Sequence, residues 1–157
     1  MKALNYTIAG IAGMIFALAA ALPAVAAESD AVDPRVAQML AEVPGGVVVD
    51  PETAVWPELG MEFTVATATD AFARSAVGSC ASGTICAYDR PNMGGTKLTF
   101  TGCGVLAVPG SFGTQSMADA RASGYAQARN GSTVLATATA GSWTNVSGTT
   151  TNIRCLL

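Results

Sequence analysis

The pattern of apolar and polar positions divides the chain into three regimes. Met1 and Lys2 begin a short basic start, followed by an uncharged, mostly apolar run from Tyr6 to Leu22, then Pro23 and Ala24-Val25-Ala26. A basic start, an apolar stretch and small-x-small residues are what signal peptidase requires, so residues 1–26 read as a secretory signal peptide cleaved near Ala26 or Ala27. The proline and the cleavage pattern weigh against an uncleaved membrane anchor, so a membrane is met only during export. A helical period comes next. Asp33-Pro34 supplies a capping side chain and a proline at the first helical position, and Val36, Met39 and Leu40 share one face of a helix through about Glu42. Pro44-Gly45-Gly46 ends it. Val47-Val48-Val49, Ala54-Val55-Trp56 and Met61 to Thr67 then predict short strands, separated by Asp50-Pro51-Glu52-Thr53 and Pro57-Glu58-Leu59-Gly60. Residues 45–67 thus form a small β-meander or hairpin. Ala66 to Ala76 is small and mixed, a linker or a short helix.

From Cys80 onward the period is two, with glycine-rich turns. Thr84 to Tyr88 and Thr96 to Thr101 are strands around a Pro-Asn-Met-Gly-Gly loop, and Val105 to Val108 is a short apolar stretch. Ser116 to Arg129 is ambiguous, because alanine favours helix while Gly124 and the pattern after it favour strand. Asn130-Gly131 is a strong hairpin signal that joins Tyr125–Arg129 to Ser132–Thr139. Trp143 to Val146 and Thr150 to Cys155 complete a series of strands whose spacing suggests a mainly β Greek-key sandwich. The predicted organisation is a signal peptide (1–26), an acidic extension (27–70) with a helix and a β-hairpin, a linker (71–79), and a β-domain (80–157).

Charge sharpens that division. The net charge of −3 conceals nine acids against Arg35 between Glu28 and Asp70, and six basic residues against Asp89 and Asp119 from Ala71 onward. The 157 residues contain no histidine, which excludes Ser-His-Asp and Cys-His catalysis and every His-ligated metal site. The four cysteines, Cys80, Cys86, Cys103 and Cys155, follow a signal peptide and read as two disulfides in an oxidising compartment. Cys80 and Cys86 enclose a Ser-Gly turn and meet readily, which leaves Cys103 for Cys155. On the chain-entropy account the small ring contributes about 2 kcal/mol and the large one about 4 kcal/mol.

Cys80-x-Ser-Gly-x-x-Cys86, Ala87-Tyr88-Asp89 and Asn92-Met93-Gly94-Gly95 resemble the secreted bacterial metalloproteinase-inhibitor family. The resemblance covers about residues 80–155 and implies a βγ-crystallin-like fold. In its motif an aromatic is followed by a glycine and, further along, by a serine; Tyr88, Gly95 and Ser116 match these, and Met93 stands where a second aromatic is usual. The implied roles are a fold-back loop between the first two strands, with positive φ at Gly95, the Tyr88 ring packed on the fold and the Ser116 hydroxyl tethering it. Gly141, Trp143 and Cys155 suggest a degenerate second copy. The resemblance implies peptidase inhibition, but no short disulfide-closed reactive loop is present, so no inhibitory residue is assigned. The stretch Ser111 to Ser116, where related domains bind calcium, has no carboxylate, and no strong calcium site is expected there.

The remaining candidates have simpler readings. Asp89 and Asp119 read as a turn residue and a partner for Arg90 or Arg121 rather than a catalytic pair. Ser82 and Ser116 lack a histidine base, and Gly94-Gly95 lacks the continuation of a phosphate loop. Asn130-Gly131-Ser132 and Asn145-Val146-Ser147 match glycosylation sequons but read as turns. Tyr125 and Trp143 read as core. The expected protein is secreted and not an enzyme, needs no cofactor or metal, and does not bind nucleic acid. Its expected partner is an extracellular protease or, alternatively, an anionic cell-wall polymer held by the basic β-domain.

Overall fold

The computed structural model describes residues 31–67 and 77–157; the expected signal peptide and most of the expected linker lie outside them. Among the described residues one helix, α1 (Pro34–Glu42), precedes eleven strands. Its start is as the sequence requires: the Asp33 side chain accepts the Arg35 backbone N–H and Pro34 occupies the first turn. The strands are β1 (Val47–Asp50), β2 (Thr53–Trp56), β3 (Met61–Thr64), β4 (Ile85–Arg90), β5 (Gly94–Phe100), β6 (Val105–Ala107), β7 (Ser116–Asp119), β8 (Tyr125–Asn130), β9 (Thr133–Thr139), β10 (Ser142–Asn145) and β11 (Asn152–Leu156). A 3-10 turn, Pro57–Leu59, links β2 to β3. The ambiguous Ser116 to Arg129 stretch is two strands, β7 and the first residues of β8, separated at Ala120–Gly124. Alanine content does not decide this stretch because both strands pair on two sides.

The strands form two antiparallel sheets, in the orders β1-β2-β3-β5-β4-β7-β10 and β6-β11-β8-β9. The acidic segment joins the first sheet through β3 and β5, with Met61, Glu62, Phe63 and Thr64 opposite Phe100, Thr99, Leu98 and Lys97. A backbone ladder therefore runs from the predicted extension into the predicted β-domain. Among the eight strands after residue 80, β6 and β10 each pair in the sheet opposite that of their chain neighbours β5 and β9.

The core follows one cross-strand row. Ala54, Phe63, Leu98, Ala87 and Met117 lie directly opposite one another from β2 to β7, and all five are buried. Directly opposite residues project to the same face, so this row is the sheet's inner surface. Ala126, Ala128, Ala138, Ile153 and Cys155 meet it from the second sheet, and Val36 and Met39 of α1 belong to the same cluster. Trp56 anchors the helix end: its ring is buried, its Nε1–H donates to the Val43 carbonyl at 2.9 Å, and a Cβ on Gly46 would lie 2.5 Å from the ring.

A second, smaller cluster lies on the other face of β4. Cys86 and Tyr88 pack there with Val77, Cys80, Ala118 and Ala120, and Met93 covers its edge. All of Ile85 to Tyr88 is therefore buried, two residues to each face. Tyr125 and Trp143, expected in the core, are 37% and 43% exposed. Ala126, next to Tyr125, points inward, and Trp143 lies directly opposite Ala118, which packs in the outer cluster, so both aromatics fall on outer faces.

Two contacts hold α1 over the sandwich: Arg35 donates to Thr96 Oγ1 at 3.0 Å, and the Glu42 carboxylate accepts the backbone N–H groups of Gly110 and Ser111. The Ser111 side chain and these N–H groups hold Glu42 below the ordinary glutamate value of 4.5. The unfolded chain then binds more protons than the native one in the window below 4.5, so this contribution is present above that window and is lost as pH falls through it. The expected outcome is that Glu42→Gln flattens the acid limb of stability against pH, measured by urea unfolding at several pH values, and leaves neutral pH less affected than Trp56→Ala. Trp56→Ala is expected to cost about 3–5 kcal/mol by the same measurement, whereas Val48→Ala on the exposed edge strand is expected to stay within about 0.5 kcal/mol.

Candidate functional site

The β4–β5 hairpin folds over at Pro91-Asn92-Met93. Asn92 and Met93 both have positive φ, 58° and 60°, a conformation that costs a side-chain-bearing residue free energy unless its surroundings hold it. Two side chains hold it here. Ser116 Oγ accepts the Met93 N–H at 2.9 Å and donates to the Arg90 carbonyl at 2.7 Å. Asn145 accepts the Asn92 N–H at 2.8 Å through Oδ1 and donates through Nδ2 to Asn92 Oδ1 at 3.1 Å. Asn145 is thus engaged with the fold-back tip, beside Ser116 in the β7–β10 register.

Tyr88 is fully buried, and its hydroxyl accepts from Ser79 at 3.3 Å. Burial pushes its phenol above the ordinary tyrosine value, partly offset by that hydrogen bond. Gly95 has φ of 79°, and a Cβ there would overlap the Asp89 carboxylate. Asp89 sits in β4 and uses Oδ1 to accept the Thr96 N–H at 2.8 Å, so it braces the start of β5 rather than pairing with Arg90. Tyr88, Gly95 and Ser116 are therefore brought together around one folded hairpin.

A second tip has the same hydrogen-bond pair. At the β8–β9 turn, Thr151 Oγ1 accepts the Gly131 N–H at 2.8 Å and donates to the Arg129 carbonyl at 3.4 Å. Sequence reasoning missed Thr151, because a threonine replaces the serine and no aromatic marks the second hairpin. Its available signal was a hydroxyl residue immediately before the last strand. Gly131, at φ of 56°, has open space around the position of a Cβ.

The disulfides are Cys80–Cys86 and Cys103–Cys155, with Cα separations of 5.7 and 5.0 Å. The first closes the small outer cluster against β4. The second ties β11 to the exposed run Thr101–Val105, in which Val105 is 72% exposed. That run is fixed at further points: Thr101 N–H donates to the Gly60 carbonyl at 2.9 Å and Cys155 N–H to the Gly104 carbonyl at 2.7 Å. Asp119 is fully buried and Arg121 grips it with two parallel hydrogen bonds, Nε to Oδ1 at 2.8 Å and Nη2 to Oδ2 at 2.7 Å. The other edge of the same guanidinium lies against the sulfurs of Cys103 and Cys155. Of the two partners the sequence offered Asp119, this assigns Arg121. A buried carboxylate needs such a partner, because an unpaired charge at this depth is strongly destabilising.

A cavity of about 80 Å³ separates α1 from the sheet, lined by Arg35, Met39, Phe63, Asp89, Thr96 and Phe112 among others. The Arg35 side chain, on its rim, holds the Asp33 carboxyl below its ordinary range by hydrogen bonding. Among the described residues no three His, Cys, Asp or Glu side chains come together, and no helix is long and apolar enough to cross a membrane. The two disulfides accord with an oxidising, extracellular setting. Comparison of the chain with protein-family models, with curated proteins and with solved structures finds no significant match.

The fold-back geometry separates two glycines that look alike in sequence. Gly131→Ala meets only the backbone cost of a left-handed residue, about 1 kcal/mol. Gly95→Ala adds a clash with Asp89 and Arg90, and is expected to cost at least about 2 kcal/mol more. Chemical denaturation of both variants checks the order, and equal losses would show that the Asp89 contact does not constrain the hairpin.

Proposed function

We propose that this chain is a secreted, non-enzymatic protein of βγ-crystallin-like build that blocks an extracellular peptidase, in the first instance a metalloprotease. The fold part of this reading is supported by the strand orders. Numbering the eight strands after residue 80 from one, the sheets run 2-1-4-7 and 6-5-8-3, so each half lends its third strand to the other half's sheet. Interlocked Greek keys produce that exchange. The paired hydroxyl tethers, Ser116 on one tip and Thr151 on the other, support a doubled motif.

The observation that carries inhibition is the exposed run Thr101–Val105. An inhibitor loop must enter a cleft without paying a large ordering cost, which favours an exposed segment held in place beforehand. Thr101–Val105 meets this: it is exposed along its length, bonded to Gly60 at one end and to Cys155 at the other, and cross-linked in its middle by Cys103–Cys155. Its disulfide partner lies far away in sequence, which is why no short cysteine loop marks it. Val105 is the large side chain it presents.

The test is residual activity across a panel of secreted metalloproteases and serine proteases with purified protein. Dose-dependent inhibition of at least one metalloprotease is expected, weakened about tenfold or more by Val105→Asp. Absence of inhibition across the panel at micromolar protein would sink the reading, and inhibition indifferent to Val105→Asp would remove Thr101–Val105 as the loop.

A further inference from the structure

The geometry points to a second binding surface: the outer face of the four-stranded sheet, which Val105 shares as the direct cross-strand partner of Arg154, docks an extended polyuronate glycan, a sugar chain that bears carboxylates. The face follows from register and alternation. In β8 and β11 the residues Ala126, Ala128, Ile153 and Cys155 are buried toward the core, so Tyr125, Gln127, Arg129, Asn152 and Arg154 project outward. Arg154 lies directly opposite Gln127, and Arg129 directly opposite Asn152, which makes the two arginines diagonal neighbours on adjacent strands. Tyr125 continues the same face one step along β8, 37% exposed, opposite Thr139 of β9.

Three features set this face apart. It is cationic without compensation: no acidic residue follows Asp119 in the chain, and Asp119 is buried and gripped by Arg121. None of β6, β8, β9 or β11 carries a carboxylate, and among the described residues neither Arg129 nor Arg154 has an ion-pair partner. It is also pre-ordered. Arg129 Nε donates to Gln127 Oε1 at 3.2 Å, and Gln127 Nε2 reaches Thr137 Oγ1 at 3.5 Å, so one guanidinium is laid along the sheet by its neighbours. Finally, its chemistry is mixed in a way that suits sugar. Two planar guanidinium forks match carboxylates, amide and threonine groups match ring hydroxyls, and a tyrosine ring offers an apolar plane. An open sheet face of this kind fits a polymer rather than a small enclosed ligand. Among the described residues, Asp50, Glu52, Glu58 and Glu62 belong to the β1–β3 side of the other sheet, so a polyanion is favoured at this face and disfavoured there.

The test is affinity electrophoresis and calorimetric titration of the purified protein with oligo-alginate, with neutral dextran and a single-stranded oligonucleotide as comparison probes. Binding to oligo-alginate but not dextran is expected, falling several-fold as salt rises from about 50 to about 300 mM. Arg154→Gln and Arg129→Gln are each expected to weaken it about tenfold. Arg90→Gln, the same loss of charge on the other sheet, is expected to leave it within about twofold. Tyr125→Ala, which alters no charge and reads the same surface if an arginine variant fails to fold, is expected to weaken binding several-fold. The inference is overturned by absence of oligo-alginate binding, by equal binding of dextran, by tighter binding of the oligonucleotide, by equal effects of Arg154→Gln and Arg90→Gln, or by indifference to Tyr125→Ala. Because Val105 lies directly opposite Arg154, glycan binding is told apart from protease inhibition through Arg129 and Tyr125, on β8 and separated from β6 by β11, and through the peptidase assay itself.

Discussion

Strand β4 is the constraint on which the rest of the molecule depends, because it is buried on both faces. Ile85 and Ala87 face the main core between the sheets, while Cys86 and Tyr88 face the smaller cluster outside. A strand covered on both sides has no polar face to give water, so something must close the outer side. That cover is the segment Val77–Cys80, and the Cys80–Cys86 disulfide keeps it there. The inner side in turn sets the row Ala54, Phe63, Leu98, Ala87 and Met117, which draws the acidic N-terminal strands into the same sheet. Helix α1 is then stacked on this core through Val36 and Met39. With few large side chains available, the molecule relies on small, fully buried residues such as Ala87, Ala118, Ala126 and Ala128, whose close packing leaves little tolerance for volume change.

The second organising device is polar. Two hairpins fold back over the sheets, and at each a single hydroxyl both accepts a backbone N–H at the tip and donates to a carbonyl before it. One short side chain thereby satisfies two backbone groups that the broken ladder leaves open. The buried Asp119–Arg121 pair works similarly at the far end of β7: the carboxylate is fully used by Arg121, and the guanidinium continues onto the Cys103–Cys155 bridge. The two surfaces proposed for binding, the braced run at Thr101–Val105 and the outer face of the second sheet beside it, are exposed parts on a rigid support.

Charge separation links these parts. The sequence contrast between acidic and basic halves becomes a contrast between the β1–β3 side of one sheet and the outer face of the other. Among the described residues the halves meet through a backbone ladder, apolar packing and the hydrogen bonds of Arg35 and Glu42; the ion pairs found there, Arg35–Asp33 and Arg121–Asp119, are both between residues two apart.

Local chemistry was legible in the sequence. The helix bounds at Asp33-Pro34 and Glu42, the Asn130-Gly131 turn and both disulfides follow from capping, turn conformation and cysteine spacing, which depend on neighbours along the chain or on elimination among four cysteines. Tyr88, Gly95 and Ser116 were singled out through a resemblance, and they do meet at one hairpin. Three things were decided only by tertiary structure. Tyr125 and Trp143 lie outward, because alternation says that neighbours differ but not which set faces the core. Thr151 repeats the role of Ser116, because that role is defined by a backbone tip twenty residues away. Lastly, β3 pairs with β5, a choice of strand partner that no local pattern encodes, since ladder hydrogen bonds are the same for any two strands and burial of Phe63 against Leu98 selects between them.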